Sequence, residues 1–167
     1  MKPIHELLVR DYMSRGPLTL TNDTDRITSA IRLMADQQRQ VLPVVDAQGV
    51  VIGILSMTDM IELTREIQSD LNSLVYVSEA TQEFLIKQLI EQGDTTRVAD
   101  VMTAPVETVR PETPLIVAAQ EMLKHHYHHI PVVDEKGEAV AVLSTTDLVR
   151  ALVELGVGQP RGSTVSG

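Results

Sequence analysis

The chain contains no cysteine. Disulfides, zinc–thiolate centres and thiol nucleophiles are thereby excluded, nothing points to an oxidising compartment, and the cytoplasm is the expected location. Aromatic residues are nearly as scarce: Tyr12, Tyr76, Phe84 and Tyr127 are the full set, too few for a platform on which bases stack. Positive charge is in deficit, with 14 Lys and Arg against 23 Asp and Glu and a formal net charge of −9. Such a balance repels phosphate backbones at long range and argues against general nucleic-acid binding. Long apolar runs are missing too. The stretch from Val50 to Leu55 is among the longest, far below the roughly 20 residues that span a bilayer, so no membrane insertion is expected. The first residues, MKPIHELLVRDYM, are charged and lack the apolar core of a secretory signal.

What is present is a duplication. Residues 9–60 and 98–148 carry the same skeleton. Val9, Asp11, Met13 and Thr19 recur as Val98, Asp100, Met102 and Thr108; Ala30, Met34, Pro43, Asp46, Gly49, Ser56 and Asp59 recur as Ala118, Met122, Pro131, Asp134, Gly137, Ser144 and Asp147. The spacing between equivalents falls from 89 to 88, so one position is lost between the two groups of anchors. A repeat of this size constrains the fold before any element is assigned.

Each copy reads as β-α-β-β-α. Leu18–Leu20 and Val106–Val109 are short β-favouring pieces, and Thr24 and Thr113 are expected to cap the helices that follow. Those helices carry apolar residues at helical spacing: Ile27, Ala30, Ile31 and Met34 in one copy, Leu115, Ala118, Ala119 and Met122 in the other. LPVVD and IPVVD read as buried strands, DAQG and DEKG as hairpin turns, and VVIGILS and AVAVLS as returning strands. Closing helices start near Thr58 and Thr146. About 50 residues do not easily bury one sheet face alone, so the copies are expected to pack together with pseudo-twofold symmetry as one α/β (α+β) module.

The expected division is residues 8–64 and 97–156 for the two copies, an inserted helical segment at 65–96, and a flexible tail at 157–167. In the insert, Leu63, Ile67, Leu71 and Leu74 extend the preceding helix to about Val75. Ser78 then caps a second helix along Phe84, Leu85, Leu89 and Ile90, which Gly93 ends. This hairpin either covers its own sheet or forms a dimer seam.

The paired V-x-D-x-M, A-x3-M-x8-P-V-V-D, x2-G and [LV]-S-x-x-D pattern resembles the CBS-domain family, named for cystathionine β-synthase, in its tandem arrangement. The resemblance implies a disc with two clefts that bind adenosine-containing ligands and regulate an attached or associated enzyme or transporter. Candidate ligands are AMP, ADP, ATP and S-adenosylmethionine, with Mg²⁺ if a triphosphate binds. No catalytic role is expected. The implied contacts are Ser56, Thr58 and Asp59 in one copy and Ser144, Thr146 and Asp147 in the other. The carboxylates would accept ribose hydroxyls, and the serines would face phosphate or the ribose linkage. Gly16, Pro17, Leu18 and Thr19, or Ala104, Pro105, Val106 and Thr108, would edge the base, with Gln40, Val41 and Pro43 or His128, His129 and Pro131 beside them. The S-x-x-D spacing on its own also suits a plain helix cap. Two departures stand out: Ala141 replaces the glycine found at Gly53, setting a methyl group against that cleft, and both copies use Ser where the family commonly has Thr.

Four of the five histidines lie within His125-His126-Tyr127-His128-His129. His125 and His126 are expected at a helix end, where the dipole favours imidazolium. Tyr127 should turn into the core, and His128 and His129 should approach the cleft, which is then expected to prefer the more anionic ligand, more so below about pH 6.5. Adjacent histidines at a helix-to-strand exit diverge, so a metal-dependent hydrolase is not expected. The expected protein is a homodimeric sensor module that relays ligand state to a partner. The competing reading is an interaction protein with non-functional clefts that docks through the inserted hairpin.

Overall fold

The structure, a computed structural model, describes residues 6–67, 87 and 95–156, excluding the side chains of 64–67. The expected hairpin stripe from Leu71 to Gly93 and the tail from 157 lie outside the described residues. In chain order the elements are α1 (Val9–Tyr12), β1 (Thr21–Asn22), α2 (Ile27–Asp36), β2 (Val41–Val45), β3 (Val51–Ser56), α3 (Met57–Ile67), a 3-10 turn (Val98–Asp100), α4 (Leu115–His125), β4 (His129–Val133), β5 (Ala139–Ser144) and α5 (Thr145–Glu154).

The strands pair as the duplication requires. β2 and β3 are antiparallel, as are β4 and β5, and Pro43 faces Ile54 in one pair as Pro131 faces Val142 in the other. Each hairpin is closed by an aspartate whose Oδ1 accepts two backbone N–H groups: Gln48 and Val50 on Asp46, Lys136 and Glu138 on Asp134. The turn ends at Gly49 and Gly137, both at φ +84°, where a side chain would be strained. The two turns meet, with the Val51 N–H donating to the Gly137 carbonyl at 3.0 Å.

The first strand forms later than expected. In copy one it is Thr21–Asn22, parallel to Val44–Val45, and in copy two it shrinks to a bridge between Val109 and Val132. Residues 17–20 have no ladder partner among the described residues, and Pro17, Leu18 and Thr19 line the wall of a cavity instead.

The expected threonine caps are also absent. α2 starts after Arg26 and α4 after Pro114, and neither has a side-chain cap. The opening N–H groups are satisfied by the leading segment of the opposite copy. Ile27 N–H donates to Thr96 O at 3.0 Å, and Leu115 N–H to Leu7 O at 2.8 Å. In return Val98 and Ala99 donate to Asp25 and Asp23, while Val9 and Arg10 donate to Thr113 and Pro111. A helix end requires partners for such donors, and main chain from the other half meets the need as a hydroxyl would. Thr113 Oγ1 accepts from Arg110 N–H, and Asp25 Oδ2 accepts from Asn22 N–H and Thr21 Oγ1.

The leading segments therefore exchange cores. Leu7, Val9 and Tyr12 are buried with Ala118, Met122, Ile130 and Leu143 of copy two, whereas Val98 is buried with Ile31, Met34, Leu42 and Leu55 of copy one. The aspartate of V-x-D-x-M holds its own turn: Asp11 accepts from Leu8 N–H and Asp100 from Arg97 N–H. Neither half closes its core with its own leader.

Candidate functional site

Each S-x-x-D sits where a strand passes directly into a helix. Thr145 N–H donates to His128 O at 3.0 Å, and Met57 N–H to Gln40 O at 3.2 Å, tying each helix start to the neighbouring strand entry. Asp147 Oδ2 accepts from Ser144 N–H at 2.8 Å and Ser144 Oγ at 2.6 Å. Asp59 Oδ2 does the same with Ser56, at 2.6 Å from both N and Oγ. In return each serine Oγ accepts the aspartate N–H, completing a capping box. The spacing is thus a structural motif as well as a candidate binding motif.

The second carboxylate oxygen distinguishes the copies. Asp59 Oδ1 accepts from Thr103 Oγ1 at 2.8 Å, a contact across 44 positions that joins the halves. Asp147 Oδ1 instead pairs with the Arg150 guanidinium one turn along its own helix. Both carboxylates are buried, at 8% and 6% exposure, yet each lies on the wall of a cavity.

The cavities are built from both copies. The Asp59 cleft, about 710 Å³, takes Ile54, Ser56, Thr58, Asp59 and Glu62 from copy one, and Thr103 with His125 to His129 from copy two. The Asp147 cleft, about 330 Å³, takes the loop from Ser14 to Thr19 with Arg39 and Pro43 from copy one, and Val142, Ser144, Asp147 and Arg150 from copy two. Gln40, Val41 and His129 line both. Both volumes fall in the range of small-molecule sites.

Most of the sequence candidates converge. Gly16, Pro17, Leu18, Thr19, Pro43, Ser144 and Asp147 share the smaller cleft; Ser56, Thr58, Asp59 and His128 share the larger. Ala104, Pro105, Val106, Thr108, Pro131 and Thr146 line neither. Pro131 is buried within β4, and its carbonyl accepts from Val109 N–H. Thr103 forms a two-bond bridge with Ile54, at 3.0 and 2.9 Å, which draws the loop onto the strand, and Thr103 alone of this loop reaches the cavity wall. Ala104–Pro105 is a cis peptide.

Arg15, Gln38, Arg150, Glu62 and Thr103 were not singled out by motif reading. The repeat offset pairs Glu62 with Arg150 and Thr103 with Ser14, but no member of either pair lies in a motif, so the offset alone marks none of them. Arg39 stands at the position of Tyr127 in the repeat; its guanidinium donates to Pro17 O at 3.2 Å and fixes the loop edge.

The histidine run divides as its position dictates. α4 ends at His125, and His126 follows at φ +57°, a left-handed exit. Tyr127 packs partly buried on the second core and stacks on His125, with centroids 5.3 Å apart and planes at 17°. His125 Nε2 lies 3.4 Å from Glu121 Oε2. Burial disfavours the imidazolium of His129, and His128 adds repulsion that Asp147 partly offsets; its pKa is lowered from the ordinary 6.5. Among the described residues no three His, Asp or Glu converge to hold a metal ion.

The CBS-domain profile matches residues 9–66 and 98–154. The chain belongs to the CBS-domain family. Among similar proteins, MJ1426 of Methanocaldococcus jannaschii, of uncharacterised function, is 28% identical over 156 residues, covering 88% of this chain and 92% of its own length. CBSX2, a chloroplastic CBS-domain protein of Arabidopsis thaliana, is 28% identical over 152 residues, covering 88% of this chain and 64% of that protein. The crystal structure of CBSX2 in complex with AMP matches with a TM-score of 0.66 at 25% identity, over 89% of this chain and 98% of that one. The CBS-domain pair of protein MJ0100, in complex with 5′-methylthioadenosine and S-adenosyl-L-methionine, shares the fold at a TM-score of 0.62 and 22% identity, covering 89% and 98% of the two chains. The tandem CBS architecture implied by the resemblance is the observed one. Among the described residues no helix is long and apolar enough to cross a membrane.

Proposed function

We propose that the chain is a cytoplasmic, non-enzymatic regulatory module that binds an adenosine-containing ligand in its clefts and passes that state to a partner enzyme or transporter. The observation that carries this reading is the placement of Asp59 and Asp147. Each is buried at a helix start, held by its serine through Oδ2, and set on the wall of a cavity assembled from both copies. Oδ1 is the oxygen a ribose diol would meet, displacing the Thr103 hydroxyl or the Arg150 guanidinium. The AMP bound by CBSX2 supports the same ligand class here.

The phosphate-bearing members of that class, AMP, ADP and ATP, fit the Asp147 cleft. Arg15, Arg39 and Arg150 line it, and a guanidinium offers phosphate two parallel donors. Mg²⁺ would accompany a triphosphate. The expectation that the histidine cleft takes the more anionic ligand runs against these charges. Base burial between Pro17, Leu18, Val41 and Val142 would supplement the polar contacts, since micromolar binding needs about 8 kcal/mol in total.

Linkage makes such a site regulatory. Because each cleft spans both copies, a ligand that grips one arrangement of the halves more tightly shifts the population towards it. A homodimer belongs to this proposal. α4 and α5 expose Leu123, Val149 and Val153, at 77, 57 and 71%, where copy one has Ala35, Ile61 and Arg65. One apolar face per chain among the described residues favours a contact that closes on a two-fold axis. Leu123→Asp with Val153→Asp is expected to convert a dimer to a monomer in light scattering; an unchanged mass places the contact elsewhere.

Titration calorimetry with AMP, ADP, ATP and S-adenosylmethionine tests the ligand reading. Heat from at least one, lost in Asp147→Ala with Asp59→Ala, is the expected result. No heat and no thermal shift from any of them would leave an interaction protein whose clefts bind nothing.

A further inference from the structure

The two clefts are equivalent in backbone and opposite in charge. At matched positions the Asp147 cleft has Arg15, Arg39 and Arg150 where the other half has Ala104, Tyr127 and Glu62. Among the described residues the Asp147 cleft thus presents three guanidiniums and one carboxylate, and the Asp59 cleft two carboxylates and neither Lys nor Arg. The carboxylate at each centre follows the same division. Arg150 neutralises Asp147, whereas the partner of Asp59 Oδ1 is the uncharged hydroxyl of Thr103.

We infer that the chain binds two different ligands at once: a phosphate-bearing adenosine compound in the Asp147 cleft, and one with a neutral or cationic 5′ substituent in the Asp59 cleft. This rests on the adenosine reading above and adds the ligand class of each cleft. A 5′-phosphate entering the Asp59 cleft meets Glu62 where its counterpart meets Arg150, turning a charge-assisted hydrogen bond into like-charge repulsion. A cation there meets the Glu62 and Asp59 carboxylates, and the stacked His125–Tyr127 pair on the same wall adds aromatic faces that attract positive charge. The larger cavity, about 710 against 330 Å³, accommodates a bulkier 5′ group.

Equilibrium titration of the full chain at pH 8, where ordinary imidazoles are uncharged, separates the possibilities. The probes are AMP, 5′-methylthioadenosine and S-adenosylmethionine. AMP is expected to saturate at one per chain, and S-adenosylmethionine or 5′-methylthioadenosine to bind the AMP-saturated protein without displacing it. Asp147→Ala should remove AMP binding alone. Glu62→Arg, a change at an exposed side chain, should admit a second AMP per chain, tightened about tenfold or more, and weaken S-adenosylmethionine similarly. Two equal AMP sites in the unaltered chain would overturn the inference and leave the adenosine reading standing. So would competition of all three probes for one site, or a Glu62→Arg chain whose AMP stoichiometry is unchanged. No binding by any probe would overturn both.

Discussion

Gly53 and Ala141 hold the same place in the two halves, and the loop that approaches each is closed in a different way. At Gly53 the loop comes close enough that an added Cβ would lie 2.8 Å from Met102 Sδ and 2.9 Å from Thr103 O. That approach lets Ile54 and Thr103 exchange both backbone hydrogen bonds. At Ala141 the methyl group is present and buried, at 1% exposure. There Ser14 N–H still donates to Val142 O at 3.0 Å, but Val142 N–H turns to the Ser14 hydroxyl at 3.1 Å. One methyl group has replaced a backbone acceptor with a side-chain one. The loop beyond Ser14 lines its cleft from Arg15 to Thr19, whereas Thr103 alone reaches the other cleft. Duplicated halves thus diverge through close approaches as well as through exposed charges.

The largest effect should come from breaking the exchange of leading segments. Leu7, 5% exposed, packs in the core of copy two, so Leu7→Ala should cost about 2–5 kcal/mol. Native-state hydrogen exchange should show the loss first in β4 and β5. If β2 and β3 lose protection instead, Leu7 does not belong to the second core.

Next is the contact that joins the halves at Asp59. Thr103→Val keeps the shape but leaves a buried carboxylate oxygen without its hydrogen bond, at an expected cost of about 1.5–3 kcal/mol in chemical denaturation. The matching change in the other cleft, Arg150→Ala, should cost under about 1 kcal/mol, because the arginine side chain is 54% exposed. Equal costs would mean that the two aspartates are held alike. Gly53→Ala, which forces the loop off the strand, should cost about 1–3 kcal/mol. A neutral result there would show that the loop yields as it has at Ala141.

Much of this was legible in the residues. The strands, the Asp–Gly hairpins, the apolar faces of α2 and α4 and the capping geometry of S-x-x-D depend on neighbours a few positions apart, and local chemistry specifies them. The caps of α2 and α4 were misread because Thr24 and Thr113 have the right chemistry, while the actual acceptors are carbonyls of the opposite copy, and a carbonyl leaves no side-chain signature. The exchange of leaders was hidden for a related reason: Val9 and Val98 are identical residues, so self-similarity cannot say which core each enters. Cleft membership needed the same long-range information. Pro131 and Thr146 share motifs with real wall residues but point elsewhere, and Glu62 and Arg150 lie just beyond the S-x-x-D motif.

The smallest predicted effect concerns His129, which lines both clefts where copy one has Val41. Burial first, and His128 second, hold its folded pKa below the unfolded value. Between those two values the unfolded chain binds more protons, so stability rises with pH across that window. The contribution is complete above about pH 6.5 and is lost as pH falls through the lowered folded value. His129→Val, which installs the residue of the matching position, should therefore make the decline in stability between pH 7 and pH 5 shallower, while the carboxylates elsewhere go on titrating as before. Urea midpoints across that range measure it. A variant with the same slope as the unaltered chain would mean that His129 protonates as readily folded as unfolded, and that the acid sensitivity of the two halves has another source.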